Sequence, residues 1–363
     1  MKWQPSGSTL GDQIPAELPI FGFAHSADVI AELCLAGGVG IWGATRDTPE
    51  EIEAGLAGIV EAVGNRPFGV DLVLPANMPE LDDRALIEAQ IPEEHRAFVA
   101  QLRQKYDVPD DGQPGMRSRF VRSNEMARRQ LDVVLRSKAT VVALGVGSPQ
   151  DAVEQLKSAG KVVVSLIGSP RHAQKALEAG ADVLVAQGYD AGGHTGTIGT
   201  FSLVPQIVDM AGGVPVLAAG GVATGRHVAS ALMLGAAGVW TGTLWLGAVE
   251  HDLDPELQKM LLAAGVGDTV QSRADSGKTL RQLRSTWTDE WAADAAPSPL
   301  PMPLQDILIG DLLGSVDRNR VLDLMHTPAG QGVGYLTEIE HVQEIVGRLV
   351  RETEEALGRW STK

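Results

Sequence analysis

The sequence predicts an α/β protein built as a closed (β/α)8 barrel, and three observations carry that reading. Short β-branched runs recur as continuous apolar segments at Ile20, Val39, Val70, Val141, Val162, Val183, Val216 and Val239. Uninterrupted apolar runs suit parallel strands covered on both faces. Helix-like segments alternate with these runs and stop at glycine, which readily takes the left-handed conformation at a helix C-terminus. Three helix-to-strand joints read almost alike: SAGKVVV, EAGADVLVA and LGAAGVWTG. Eight such units favour a closed barrel, with an open doubly wound sheet as the alternative.

Taken in order, residues 1–18 read as an irregular arm. Pro19 to Phe23 is the first strand, and Gly37-Gly38 ends a helix over Val29 to Ala36. Val39 to Trp42 is the second strand. Thr48-Pro49-Glu50-Glu51 pairs an N-cap hydroxyl with a first-turn proline, so a helix runs to about Val63. Phe68 to Leu74 is the third strand. A more polar stretch, Pro75 to about Ser123, carries Pro92, Pro109 and Pro114 and helical character over Glu94–Lys105. It reads as an insertion over one face. The helix Asn124–Lys138 and the strand Thr140 to Leu144 resume the rhythm.

Helices Pro149–Ala159, Pro170–Ala179, Ser202–Met210 and Thr224–Leu234 then alternate with strands Lys161–Leu166, Asp182–Ala186, Val214–Ala219 and Gly238–Thr241. Past Trp245 the rhythm fades. A helix over Pro255–Ala264, a proline-punctuated loop at 297–303 and a glycine turn at 330–334 lead to a last helix, about Glu338–Leu357. Its stripe of Ile339, Val342, Val346, Leu349 and Val350 is expected to dock on the body. The expected organisation is an arm (1–18), a barrel (19–244) and an extension (245–363) that completes the barrel and covers its site.

Composition narrows the function. A net charge of -16, with no lysine- or arginine-rich block, argues against nucleic acid or an anionic membrane as partner. The densest basic cluster, Arg117 to Arg129, is interrupted by acids and apolar residues. One cysteine, Cys34, precludes an intrachain disulfide, and no paired-cysteine or HExxH pattern points to a metal. No signal-like core or membrane-length run is present, so a cytoplasmic enzyme is the simplest class. Gly38 to Gly43 matches GxGxxG but contains a strand instead of following one, so it is discounted as a dinucleotide fingerprint. Gly277-Lys278-Thr279 ends like a P-loop, but Ser272 stands where the first glycine belongs.

The chemistry gathers at strand C-terminal ends, the face where this architecture builds its sites. The richest loop is Gln187-Gly188-Tyr189-Asp190-Ala191-Gly192-Gly193-His194. Its glycines admit a ligand close to the backbone, and its imidazole titrates near neutrality. Gly220-Gly221 and Gly242-Thr243 follow the seventh and eighth strands, where phosphate commonly binds in such barrels. Thr224 or Gly225 opens the next helix, whose N–H groups also favour an anion. Asp71 lies toward the end of the third strand.

The stretch from Gln187 to Gly196 resembles the QGxEAGGHxG signature of nitronate monooxygenases, formerly 2-nitropropane dioxygenases. Pro215–Ala223 and Gly242-Thr243 resemble that family's FMN phosphate loops. The resemblance extends over Pro19–Gly43 and Pro67–Leu74, and more loosely to Gly330-Gln331. It implies non-covalently bound FMN, His194 as catalytic base or hydrogen-bond donor, Gln187 at the flavin ring, and Gly188, Gly192 and Gly193 near it. Gly220, Gly221, Gly242 and Thr243 would hold the phosphate, and Asp71 would lie near the flavin. The implied reaction oxidises alkyl nitronates with dioxygen to a carbonyl compound and nitrite. The expected partners are thus a small-molecule substrate and dioxygen, with a homodimer left open.

Two departures bear on substrate. Phe23-Ala24-His25 replaces a frequent methionine region, and Asp71 stands where asparagine is frequent. A carboxylate there would oppose an anionic substrate unless neutralised. Flavin-dependent enoyl-ACP reductases carry a similar stretch, so an FMN-dependent NAD(P)H reductase of enoyl-thioester or quinone type is the alternative. A non-catalytic flavin-binding protein is the alternative of a different class.

Overall fold

The computed structural model describes residues 1–74 and 78–359. Pro75 to Asn77, at the start of the expected insertion, and the last four residues of the expected extension lie outside the described residues. Eight parallel strands close on one another: β1 (Ile20–Ala24), β2 (Val39–Gly43), β3 (Gly69–Val73), β4 (Val141–Gly145), β5 (Val162–Ile167), β6 (Val183–Gln187), β8 (Val216–Ala219) and β9 (Gly238–Thr241). Pairing of β1 with both β2 and β9 completes the ring. The barrel is closed, so the open-sheet alternative is excluded.

The strand period of two decides what the barrel contains. Phe21, Ile41, Ala143, Val185 and Leu217 point inward and pack on one another. Val70, Leu72, Leu144, Leu184 and Ala218 point outward under the helices. By the same alternation, Phe23, Asp71, Gly145 and Gln187 belong to the inward set at the C-terminal rim, and all four face one cavity. The pattern that makes the core therefore also aims the site residues.

The arm forms a short helix, Leu10–Gln13. Leu10 and Ile14 are buried and join the inward barrel cluster. They supply apolar contacts to that interior layer, a role the irregular reading of this arm did not foresee.

A second small sheet lies outside the barrel. Strand β7 (Gly193–His194) pairs antiparallel with β11 (Leu280–Leu283), which pairs with β10 (Thr269–Ser272). The histidine loop is thus pinned by chain nearly ninety residues further on. Residues 78–123 and the helix Leu304–Arg318 pack together, with Arg84 pairing with Asp311 at 2.5 Å. There Gly115 sits so close to Gly310 that a Cβ would lie 2.0 Å from its carbonyl oxygen. The last helix spans Val342–Gly358 and buries Val342, Val346 and Leu349. Ile339 precedes it and is exposed, so the expected stripe begins one turn later. No helix among the described residues is long and apolar enough to cross a membrane.

Candidate active site

A cavity of about 1700 Å³ opens over the C-terminal ends of the strands. Asp71, Gln187, Gly192, Gly193, His194, Gly220, Gly221, Gly242 and Thr243 all line it. Gly188 does not. Its Cα packs against Thr200, where a Cβ would sit 2.2 Å from the hydroxyl oxygen. It is a close-packing glycine whose carbonyl accepts the Thr195 hydroxyl at 2.9 Å.

The two phosphate-like loops form a donor cradle. Gly220 (φ 106°) and Gly221 (φ 72°) take positive φ, which side chains rarely adopt. The backbone N–H groups of Gly221, Val222 and Gly242 find no acceptor among the described residues. These donors are half-buried at the cavity rim, and a row of them without protein acceptors is suited to an anion. The Thr243 hydroxyl accepts from Gly330 N–H at 2.9 Å, which leaves its own proton to donate. Gly332 closes over the cradle, its Cβ position 3.7 Å from the Gly221 carbonyl carbon.

One part of the anion reading is corrected here. The helix Gly225–Met233 starts beside the cradle, but its leading N–H groups are already used. Gly225 N–H donates to the Glu352 carboxylate at 2.7 Å, and Thr224 N–H to His227 Nδ1 at 3.2 Å. The final helix brings its own carboxylate to the favourable N-terminal position. The open donors are those of the two loops.

Gln187 ends β6 and donates its amide to the carbonyl of His194 at 3.0 Å. That bond ties the loop to the barrel rim. The His194 ring lies against Ser276, with Nε2 2.7 Å from the hydroxyl. Its Nδ1 has no hydrogen-bond partner among the described residues. Burial, then the nearby Arg122, Arg117, Lys278 and Arg46, push the imidazole down to about 3. It is neutral across the physiological range.

Asp71 moves the opposite way. It is buried, its Oδ2 has no partner, and desolvation pushes its carboxyl up to about 8. At pH 7 it is mostly protonated, so the anticipated repulsion of an anionic ligand is relieved. His25 is also held neutral, pushed down to about 4 first by burial and then by Arg46. Its Nδ1 meets the Gly43 carbonyl at 2.7 Å. Val146, after β4, adopts φ 61°, a costly conformation for a β-branched residue at the cavity wall.

The far wall comes from segments the sequence did not connect to the site. Arg117 and Arg122 enter from the chain preceding the helix Asn124–Arg136, and Asp275, Ser276 and Lys278 from the β10–β11 connection. Asp275 is buried and receives Arg117 at 2.7 Å, Trp287 Nε1 at 3.0 Å and His326 at 3.2 Å. Although burial alone would raise it, His326 and Arg117 hold its carboxyl far below the usual range. The Arg117–Arg129 cluster and the Gly277-Lys278 pair were the available signals. Nothing local says they face His194.

A donor cradle, a neutral imidazole and a cation-rich wall on the C-terminal rim of a closed barrel define a barrel enzyme. The family model for nitronate monooxygenase matches residues 11–352, and the chain belongs to that family, as an oxidoreductase. It is 37% identical to a Mycobacterium tuberculosis protein assigned as a monooxygenase, covering 96% of this chain and 97% of that one. It is 29% identical to an assigned nitronate monooxygenase of Bacillus subtilis, covering 84% and 86%. Among solved structures it resembles nitroalkane oxidase from Streptomyces ansochromogenes, with TM-score 0.82 and 27% identity, over 98% and 100% of the chains. It also resembles FabK from Thermotoga maritima, with TM-score 0.75 and 26% identity, over 97% and 98%.

Proposed function

We propose that this protein is an FMN-dependent nitronate monooxygenase, oxidising alkyl nitronates with dioxygen to a carbonyl compound and nitrite. The observation that carries the reading is the charge state of the cavity. His194 and Asp71 are both neutral at pH 7, while Arg46, Arg117, Arg122 and Lys278 lend the interior positive potential. Such a cavity suits a substrate that arrives already as an anion. An imidazole pushed down to about 3 is a weak proton acceptor, so a preformed nitronate fits better than a neutral nitroalkane.

The residues fit FMN. The open N–H groups of Gly221, Val222 and Gly242 match a phosphate, the Thr243 hydroxyl adds a donor, and Gly220 lets the backbone come close. Bound there, the flavin supplies the electron-accepting chemistry. Asp71, protonated, can donate one hydrogen bond to the cofactor as an asparagine amide would. The open Oε1 of Gln187 is an acceptor at the end of β6. His194, steadied by Ser276 and by the Gln187 tie to its carbonyl, presents Nδ1 to the substrate's nitro oxygens. Gly192 and Gly193 keep that loop thin enough for close approach.

Anaerobic stopped-flow tests the reading. Ethyl nitronate is expected to bleach the bound flavin within the mixing experiment, and NADH is not. Rapid bleaching by NADH alone would instead select the FMN-dependent reductase reading, which the similarity to FabK favours. A purified protein that is colourless and takes up no added FMN would reject both.

A further inference from the structure

His25 follows β1 by one residue, where the strand runs into the helix Ala27–Leu35. Its ring is open to the cavity and packs edge-on against Phe23, with centroids 5.2 Å apart. Phe23 in turn stacks on Trp240 at 6.3 Å, so the two form an aromatic shelf beside the imidazole. Gly43 makes room for the ring: a Cβ there would lie 2.8 Å from His25 Cε1 and Nδ1. The backbone is held where Trp42 Nε1 donates to the His25 carbonyl at 2.9 Å. The next residue, Ser26, donates its hydroxyl to the Glu250 carbonyl at 2.9 Å. That bond ties the chain bearing His251 to the same part of the cavity wall.

Hydrogen bonds fix which nitrogen of each ring carries the proton. A carbonyl only accepts, so the 2.7 Å contact with Gly43 puts the His25 proton on Nδ1 and leaves Nε2 a bare lone pair. A backbone N–H only donates, so Leu253 N–H at 3.0 Å keeps His251 Nδ1 bare and puts that proton on Nε2. Neither Nε2 has a hydrogen-bond partner among the described residues. One ring therefore offers an acceptor and the other a donor. They are close enough for His251 to act on the charge of His25, yet they do not bond each other. Both are held neutral: burial lowers His251 against the pull of Asp252, as burial and then Arg46 lower His25. An imidazole N–H on a side chain only 7% exposed ordinarily has a partner.

An anion does not answer both nitrogens, because a bare Nε2 repels an oxygen that brings no proton. A metal would need a lone pair on each ring, and His251 turns its N–H outward instead. What fits is a neutral group that donates to His25 and accepts from His251.

We infer that His25 and His251 form a neutral hydrogen-bonding subsite beside the Phe23–Trp240 shelf, which takes a hydroxyl or primary amide carried on the substrate. The inference rests on the proposed function only for placing that group on a nitronate. The subsite uses none of the residues of the loop cradle or of the cationic wall.

Two measurements on the FMN-loaded enzyme test it. In the first, benzamide, benzyl alcohol and acetophenone are titrated and followed by flavin absorbance. The first two both donate and accept, the third only accepts, and all carry a ring suited to the aromatic shelf. Wild type is expected to bind benzamide or benzyl alcohol at least tenfold more tightly than acetophenone, the tighter of the two identifying the group. His25→Phe and His251→Phe should each bring that preference to within about twofold of unity, and His25→Gln should recover part of it. In the second, a nitronate ending in that group is compared with its methyl-ended isostere. Wild type should prefer the polar substrate by tenfold or more in kcat/KM, and His25→Phe should erase the preference. Equal affinity for all three probes in wild type, or a preference that survives either phenylalanine substitution in a folded, flavin-loaded variant, overturns the subsite. Probe binding that depends on both histidines without turnover of any nitronate overturns the reaction and leaves the subsite standing. The two histidines lie on separate segments, so either variant decides the matter if the other does not fold.

Discussion

Replacing Asp71 by asparagine should stabilise the apoprotein, and more so as pH rises. Asp71 is buried with an unpartnered Oδ2, and desolvation raises its carboxyl from 3.8 to about 8. A group whose folded value is raised favours folding fully below its unfolded value and loses that contribution as pH climbs toward the folded one. Between those limits the folded chain holds a proton that the unfolded chain has released. Each pH unit then costs about 1.4 kcal/mol, or about 4 kcal/mol between pH 3.8 and pH 7, less whatever water in the cavity relieves. Asparagine keeps the shape and does not titrate. Urea unfolding of wild type and Asp71→Asn should therefore diverge by roughly 3 kcal/mol from about pH 5.5 to about pH 7.5. The histidines titrate in both proteins and cancel from the difference. A stability difference that stays constant with pH would show that the folded carboxyl ionises normally, and the neutral-Asp71 argument would fall.

Other predictions follow from the same geometry. His194→Ala should lower kcat/KM with nitronate by roughly 10²- to 10³-fold, the usual worth of a positioned hydrogen-bond donor to a substrate oxygen, while flavin content stays unchanged. Gly221→Ala places a side chain at φ 72° and should weaken flavin affinity by about tenfold, from roughly 1–2 kcal/mol of backbone strain, as read by flavin fluorescence on release. Glu352→Gln removes the carboxylate from the start of the helix Gly225–Met233 and should cost about 1 kcal/mol in urea unfolding.

Much of the fold was legible because it is written in local chemistry. Glycine stops, N-cap hydroxyls and β-branched runs placed all eight barrel strands within a residue or two. The rim was legible too, since the site-like loops follow the C-terminal ends of the strands, the face where this architecture builds its sites. What escaped depends on long-range packing. Thr269–Ser272 and Leu280–Leu283 alternate too weakly to announce strands, and their value lies in pairing with Gly193-His194. Ser276 is ordinary in sequence and becomes the partner of His194 only through that sheet. Gly225 looked like an anion site because Glu352, over a hundred residues later, was not yet beside it. Gly188 looked like a ligand-facing glycine and is instead required by Thr200.

The charge pattern gives the departures at Asp71 and His194 a common cause. Near neutral pH an exposed carboxyl is ionised and an exposed imidazole is partly so. In this cavity both are uncharged: burial removes the charge from Asp71, and burial with the surrounding cations removes it from His194. The guanidinium groups cannot shed theirs so easily, and the interior keeps a positive excess. An entering anion would raise the imidazole by its own field, making His194 a better hydrogen-bond donor only once substrate is present. The same field would favour negative charge gathered on a bound cofactor. An aspartate that looks hostile to an anion in the sequence is compatible with one because it has given up its own charge.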